Sequence, residues 1–254
     1  MTFGRATFVP EQRHPRAAGE VTAGIRAVTL DVDDTLVDHT ASSRAALRLL
    51  LGHDDAWPLW TQVTDENVAR VVAGEVDSDN MRWQRTQEFF GWLGESLCDA
   101  EAMRREQVRV QAMRQGWRLF ADARPCLEWL NAAGVRVAVI TNASGSHQRQ
   151  KLANLGVAEF IDEVLIAGEL GLAKPDPKIF RVACARLGAE PDEVAHVGDR
   201  LDLDAIGARD AGLAGVWLDR HGPAGGAPPA GVSMITHLGQ LPELLVCELD
   251  LVVG

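Results

Sequence analysis

Short apolar runs alternate with helical segments along the second half of this chain, and this alternation limits its fold more than any other feature. The spacing predicts strands at 135–140, 163–167, 193–199 and 214–219, and helices at 125–133, 146–155, 177–187 and 204–211. Another β-branched run starts at Ile25 and ends abruptly in acidic residues. Strands and helices alternating at this spacing form right-handed βαβ units around a parallel sheet. The sequence therefore predicts an α/β fold with a doubly wound, Rossmann-like parallel sheet.

A helical pattern separates the first strand from the rest of this alternation. From about Ser42 to Arg118, apolar residues recur at three- and four-residue spacing without a strand-like run. Five of the seven tryptophans lie in or beside this stretch, at positions 57, 60, 83, 92 and 117. We therefore predict a helical cap at 39–118, a catalytic core at 25–38 and 119–254, and a flexible leader at 1–24.

The composition excludes several classes of partner. The formal net charge of -11 argues against a surface for polymeric nucleic acid, which requires clustered Lys and Arg. The four cysteines are widely spaced and form neither a zinc pattern nor a disulfide framework. No apolar run approaches the roughly 20 residues of a membrane span, and no signal peptide is apparent. We expect a soluble, cytoplasmic protein that acts on a small molecule; its oligomeric state stays open.

Two acidic residues follow the first predicted strand. Ligands of open parallel sheets bind beyond the carboxyl ends of the strands, and Asp31 and Asp33 would project from that end towards the same side. One carboxylate could attack phosphorus while the other protonates the leaving oxygen and later deprotonates water. A solvated or helix-capping acidic loop is the alternative interpretation of this segment.

Two further segments follow strands and carry groups suited to phosphate. Thr141 and Asn142 end the strand at 135–140, where a hydroxyl and backbone amides could hold phosphate oxygens, although both are common turn residues. Lys174 precedes two prolines that restrict its loop, so its ammonium could be fixed beside a carboxylate. The chain has only three lysines, which gives this one more weight than a surface lysine would have.

The segment after the strand at 193–199 is acidic. Gly198 would allow a tight turn, Asp199 would lie at the strand end beside Asp31, and Asp204 opens the next predicted helix. Carboxylates gathered at one edge repel each other unless a cation lies between them, and hard oxygen ligands favour Mg²⁺. Asp204 could support such a site or simply cap its helix.

Taken together, these segments resemble the signature motifs of the haloacid dehalogenase superfamily. The matching sequences are DVDDTL, ITN, AKPDP and VGDRLDLDAIGA, in this order and each after a predicted strand, and the resemblance covers about 25–218. The helical insertion resembles that superfamily's helical (C1-type) cap. The sequence of the insertion is similar to that of pyrimidine 5'-nucleotidases and N-acylneuraminate-9-phosphatases.

The resemblance implies a role for each matched residue. Asp31 would be the nucleophile and Asp33 the general acid and base, while the Asp33 backbone carbonyl, Asp31 and Asp199 would bind Mg²⁺. Asp204 would lie beside the metal or its waters. Thr141 and the Asn142 amide would hold the phosphate, and Lys174 would neutralise charge.

The resemblance covers several reactions, which individual residues separate. Dehalogenases lack an acid at the position of Asp33, and phosphonatases carry a cap lysine, whereas no lysine lies between Asp34 and Lys151. A phosphatase acting on a nucleoside monophosphate or sugar phosphate is the expected function. A phosphomutase similar to β-phosphoglucomutase, and a catalytically silent binding protein, remain as alternatives.

Specificity is expected to come from the helical insertion. Arg82 and Arg85 lie one turn apart on a predicted helix and flank Trp83. A guanidinium can bind a carboxylate or a base edge, and an indole can stack on a sugar or base. The alternative is two surface arginines around a core tryptophan.

Overall fold

The computed structural model describes residues 24–143, 147–222 and 227–252. The predicted leader at 1–24 lies outside these residues except for Gly24. Within the described chain, six parallel strands form one sheet in the order β3-β2-β1-β4-β5-β6. The strands are β1 (Ala27–Leu30), β2 (Arg136–Thr141), β3 (Glu163–Ile166), β4 (Val194–Gly198), β5 (Ala214–Leu218) and β6 (Val232–Ile235). The predicted doubly wound α/β fold is confirmed.

The first strand lies in the interior of the sheet and all its residues are buried. Three of them are apolar, and the hydroxyl of the fourth, Thr29, forms a hydrogen bond with His196. The strand pairs with β2 on one side and β4 on the other. The strand order changes direction between β1 and β4, which is where open α/β sheets bind their ligands. The register brings Leu30 beside Val197, so the residues that follow both strands emerge together.

Helices cover both faces of the sheet and bury its alternate residues. The helices of this part are α5 (Ala123–Ala132), α6 (His147–Asn154), α7 (Ala167–Leu170), α8 (Pro177–Leu187), α9 (Gly207–Ala211) and α10 (Leu241–Cys247). Leu30 and Val28 pack with α5 and α10 in one cluster, whereas Ala27 packs with α8 and α9 in another. Each buried Leu or Val side chain contributes about 1.5–3 kcal/mol to this packing.

Four helices lie between β1 and the remaining strands, and they have a core of their own. They are α1 (His39–Leu51), α2 (Trp57–Val72), α3 (Ser78–Trp92) and α4 (Asp99–Gly116). Trp60, Phe89 and Leu47 are buried in this core, with the Trp60 and Phe89 rings edge to face at 5.1 Å. Among the described residues, no helix combines the length and apolar character needed to cross a membrane.

The structure differs from the predicted elements in three places, one of which is the short helix α7 directly after β3. A sixth strand, β6, follows the Gly- and Pro-rich segment and was not predicted from the sequence. The predicted helix at 204–211 begins instead as a wider π-type turn at Leu201–Ile206, and regular α9 follows it. The wider turn carries Asp204 into the interior, where its carboxylate is 1% exposed, so this residue does not serve as a helix cap.

Candidate active site

At the carboxyl end of β1, Asp31 contacts Lys174, the lysine that the sequence analysis had singled out. The Lys174 Nζ donates to Asp31 Oδ1 at 2.5 Å, and it also lies 2.6 Å from Asp204 Oδ1. All three side chains are buried. The Asp31 backbone N–H bonds to the Val197 carbonyl at 2.9 Å, so pairing of β1 with β4 fixes the position of the aspartate. The structure thus brings together three residues from separate sequence motifs.

Asp204 is held by a chain of hydrogen bonds from the sheet below it. His196 Nε2 lies 3.2 Å from Asp204 Oδ1, and His196 Nδ1 lies 2.8 Å from the Thr29 hydroxyl. Burial lowers the pKa of His196, which favours the neutral ring. The Arg200 backbone N–H donates to Asp204 Oδ2 at 3.0 Å. These bonds fix the carboxylate that shares Lys174 with Asp31.

Gly198 provides room for the Asp204 carboxylate. A Cβ at this position would lie 2.2 Å from Asp204 Cγ and 2.3 Å from its Oδ2, well inside van der Waals contact. The backbone here does not require the left-handed region, because Gly198 is absent from the described residues with positive φ. The predicted tight turn is therefore not the reason for this glycine.

Asp199 lies on the neighbouring strand end and is oriented by the loop after β1. The Thr35 hydroxyl donates to Asp199 Oδ1 at 3.4 Å and accepts from the Asp199 N–H at 3.1 Å. Trp217 Nε1 donates to the Asp199 carbonyl at 3.0 Å. The predicted proximity of the β1 and β4 strand ends is therefore present in the fold.

The acidic groups of this edge carry more negative charge than Lys174 can balance. Burial, together with the charges of Asp204 and Asp199, raises the pKa of Asp31 well above its ordinary value, although Lys174 opposes this. Burial and the charges of Asp204 and Asp34 raise the pKa of Asp199 to about 7. A divalent cation would relieve this repulsion and favour both ionised forms.

Oxygen donors of this kind suit magnesium. Among the described residues, no three His, Cys, Asp or Glu side chains form a ready metal cage. Mg²⁺ does not require one, since it commonly takes one or two carboxylates together with waters and substrate phosphate oxygens. The carboxylates of Asp31 and Asp199 and the excess charge around them fit such a site.

Asp33 has a separate set of partners, which sequence reasoning missed. Lys151 Nζ donates to Asp33 Oδ1 at 2.5 Å, and Gln148 Nε2 donates to Asp33 Oδ2 at 2.8 Å. His39 Nδ1 lies 3.6 Å from Asp33 Oδ1. Burial alone would raise the pKa of Asp33, but the charges of His39 and Lys151 and the two hydrogen bonds lower it to about 2. The rarity of lysine was the available signal for Lys151.

The end of β2 brings Thr141 and Asn142 to the same edge. The Thr141 side chain is buried, and its hydroxyl accepts from the Ala143 backbone N–H at 3.2 Å. The Asn142 side chain bonds twice to the backbone of Lys174, donating to its carbonyl and accepting from its N–H, both at 2.8 Å. Asn142 therefore holds the lysine loop, a contact that its place in a turn did not predict.

Arg220 fixes the loop that carries Asp33 and was also missed by the sequence argument. Its guanidinium donates to the carbonyls of Thr35 at 2.7 Å and Asp34 at 3.3 Å. It also pairs with Asp122 at 2.9 Å and stacks on Phe120 with its carbon 3.7 Å from the ring centre. Bonds of this kind restrict the loop geometry on which the backbone of the site depends.

A family model for haloacid dehalogenase-like hydrolases matches residues 25–212, which include all the residues of this edge up to Asp204. The chain belongs to the haloacid dehalogenase-like hydrolases. A 39% identical relative, the ribulose-1,5-bisphosphate 5-phosphatase of Halopiger xanaduensis, matches 76% of this chain and 84% of its own. The phosphoserine phosphatase of Thermus thermophilus is 29% identical and matches 88% and 99%.

Other comparisons agree with the resemblance noted from the sequence. Human N-acylneuraminate-9-phosphatase is 26% identical over 87% of this chain and 94% of its own. The structure of the putative HAD-hydrolase YfnB from Bacillus subtilis, described as bound to magnesium, superposes with a TM-score of 0.76. That alignment covers 88% of this chain and 100% of YfnB at 21% identity, so it supports the haloacid dehalogenase fold.

The helical insertion of this hydrolase separates the three predicted specificity residues. Arg82 and Trp83 line a cleft of about 510 Å³ between α3 and α4, and Arg114 also lines it. Arg114 Nη2 lies 2.5 Å from His147 Nδ1 at the start of α6, so the cleft lining contacts the helix that carries Gln148 and Lys151.

Arg85 lies in the interior of the insertion instead of lining the cleft. Its Nη2 donates to Glu106 Oε1 at 3.1 Å, and its guanidinium lies 4.5 Å from the centre of the Trp60 ring. Arg109 binds the same carboxylate through two hydrogen bonds of 2.7 Å. The contacts indicate that Arg85 stabilises the helices from inside their core, so it is not the surface arginine that the sequence had left as the alternative.

Proposed function

We propose that this hydrolase is a magnesium-dependent phosphatase that cleaves a small phosphate monoester through a phosphoryl group carried on Asp31. The observation that supports this most directly is the buried contact of Asp31 with Lys174, beside the acids Asp199 and Asp204. The named relatives that match most of the chain are phosphatases. Their activities are consistent with a nucleophile, a fixed ammonium and a separate acid at one strand edge.

The proposal assigns a residue to each step of the reaction. An Asp31 carboxylate oxygen attacks phosphorus and the bond to the leaving oxygen breaks. Asp33 gives that oxygen a proton, which it first takes from the bound monoester because its own pKa is only about 2. Lys174 balances the negative charge of the nucleophile and the phosphoryl oxygens. Asp33 then takes a proton from a water molecule that attacks phosphorus, which releases phosphate and regenerates Asp31. The Thr141 hydroxyl and the Asn142 backbone amide would hold phosphoryl oxygens.

Magnesium would be held by the Asp31 and Asp199 carboxylates and the Asp33 backbone carbonyl. When bound, it would neutralise charge on the phosphoryl oxygens and keep the nucleophilic carboxylate ionised. Asp204 is already engaged with Lys174 and His196, so it would act beside the metal and not as a direct ligand.

The leaving group would lie under the helices at 39–118, acting as a cap over the core. We assign its recognition to the cleft lined by Arg82 and Trp83, which offers a guanidinium and an indole within one cavity. A nucleoside monophosphate or a sugar phosphate has the planar or hydroxyl-rich body that such groups bind. Arg85 has no part in this recognition because Glu106 holds it in the helical core.

Phosphate release from a panel of nucleoside monophosphates, sugar phosphates and small phospho-acids tests this proposal. The assay is run with Mg²⁺ and with chelator, and Asp31→Asn serves as the inactive control. We expect one preferred class of monoester, loss of activity with chelator, and at least 10³-fold lower turnover in the variant. Isomerisation that appears only on addition of a sugar bisphosphate would indicate a phosphomutase and contradict the proposal.

A further inference from the structure

Two of the aspartates after β1, Asp31 and Asp33, each contact a lysine. Lys174 lies 2.5 Å from Asp31, and Lys151 lies 2.5 Å from Asp33. The sequence contains three lysines, and the third, Lys178, is exposed on α8. A residue type that is rare in the chain is therefore concentrated at the catalytic edge, and one of these two lysines is outside the family motifs noted above.

Burial makes a surface role for Lys151 untenable. Its side chain is 3% exposed, and removal of an ammonium from water costs several kcal/mol unless a counter-charge is present. Among the residues that the structure describes, Asp33 is the carboxylate that pairs with Lys151. Within the described chain, the buried Lys151 ammonium is therefore paired with Asp33, the proposed acid and base of the reaction.

Gln148, on the same helix as Lys151, also binds the Asp33 carboxylate. Lys151 and Gln148 lie three residues apart on one face of α6 and bind different oxygens of the carboxylate. Two bonds to the two oxygens fix the rotation of the group as well as its position. Each carboxylate oxygen has a second lone pair, so Asp33 can take a proton from the bound ester and pass it to the leaving oxygen while both bonds persist.

The same lysine also contacts the end of the helical insertion. Its Nζ lies 5.2 Å from the centre of the Trp117 ring, immediately after α4. His39, the first residue of α1, approaches Asp33 from the other connection to the insertion. Both segments that join the insertion to the core therefore meet around the Asp33–Lys151 pair.

From this geometry we propose that Lys151 and Gln148 are positioning residues that hold the Asp33 carboxyl group for proton transfer to the leaving oxygen. The inference rests on the proposed phosphatase function and extends it to two residues on α6. Neither residue needs to touch the substrate, since both act through Asp33. The proposal predicts a specific kinetic consequence, because protonation matters most for a poor leaving group.

The test compares two substrates of different leaving-group acidity. Lys151→Met and Gln148→Leu keep approximate side-chain volume and remove one bond to Asp33 each. Values of kcat/KM are measured for an alkyl phosphate cleaved by the wild type and for p-nitrophenyl phosphate, whose leaving group departs without a proton. Lys178→Met is the control for loss of a lysine, and thermal unfolding of each variant verifies folding.

We expect Lys151→Met to lower kcat/KM on the order of 100-fold for the alkyl phosphate and less than about 5-fold for p-nitrophenyl phosphate. Gln148→Leu should show the same selectivity with a smaller loss, and Lys178→Met should match the wild type. In an Asp33→Asn background, Lys151→Met should cause little further loss for the alkyl substrate.

Equal losses for the two substrates in folded Lys151→Met and Gln148→Leu, or wild-type rates in both, would overturn the positioning role. Gln148→Leu decides the question by itself if Lys151→Met does not fold. The wild-type measurements separate the two levels of the argument. A wild type that cleaves no phosphate monoester of the panel would overturn the phosphatase function, whereas an active wild type with unselective variants would refute only the role of Lys151 and Gln148.

Discussion

The substitution Gly198→Ala tests whether close packing of Asp204 positions the charged groups of the site. The new Cβ would lie 2.2 Å from Asp204 Cγ, whereas non-bonded carbons approach to about 3.5 Å. The Asp204 side chain would have to move by more than about 1 Å. Its 2.6 Å contact with Lys174 and its 3.2 Å contact with His196 cannot both survive such a shift.

We expect kcat/KM for the preferred phosphate ester to fall on the order of 100-fold, because a displacement of about 1 Å near the reacting groups has an effect of this size. Steady-state kinetics with saturating Mg²⁺ provides the measurement, and circular dichroism verifies the fold. Gly91→Ala in α3 is the matched control, since an added Cβ there meets nothing within 4 Å. Wild-type kcat/KM in folded Gly198→Ala would refute the argument.

Two further substitutions test the contacts that support the site. Glu106→Gln leaves Arg85 and Arg109 without their buried anion and should lower the free energy of unfolding by about 3–5 kcal/mol, measured by urea denaturation. The fold lowers the pKa of Glu106, so the stabilisation by its carboxylate is complete above about pH 4.5 and is lost as the pH falls through the folded pKa. The unfolding free energies of wild type and variant should therefore converge in acid. Parallel dependences of the two free energies on pH would contradict this. Arg220→Met frees the Thr35 carbonyl and should raise the Mg²⁺ concentration for half-maximal activity about 10-fold, measured by metal titration, while an unchanged midpoint would contradict a role in holding the loop.

The sequence was sufficient for the fold and for the strand-end residues because both depend on local pattern. Apolar periodicity is set by neighbouring residues, and parallel strands place their carboxyl ends at one edge whatever the loops between them. Asp31 and Lys174 could therefore be predicted to meet, although they are far apart in the chain, whereas Asp204 stayed open between this site and a helix cap. The strand β6 was missed because four residues after a Gly- and Pro-rich segment carry too short a pattern.

Contacts between distant side chains could not be obtained in the same way. The bond between Lys151 and Asp33 joins residues 118 positions apart, and that between Arg85 and Glu106 depends on how α3 packs on α4. The periodicity of a helix predicts the face on which a residue lies but not the residue that it contacts. Arg85 was therefore assigned to specificity, although it packs in the core of the helical insertion. Gly198 illustrates the same limit, since its need for space arises from the path of Asp204.

Direct detection of a phosphoryl group on Asp31 is the most direct test of the proposed mechanism. The enzyme is mixed with substrate and Mg²⁺, quenched rapidly in acid and reduced with borohydride, which converts an aspartyl phosphate to homoserine. Peptide mass spectrometry then locates the modified residue. We expect homoserine at position 31, present with substrate and absent with chelator. Homoserine at a different aspartate, or wild-type phosphate release by Asp31→Asn, would contradict it.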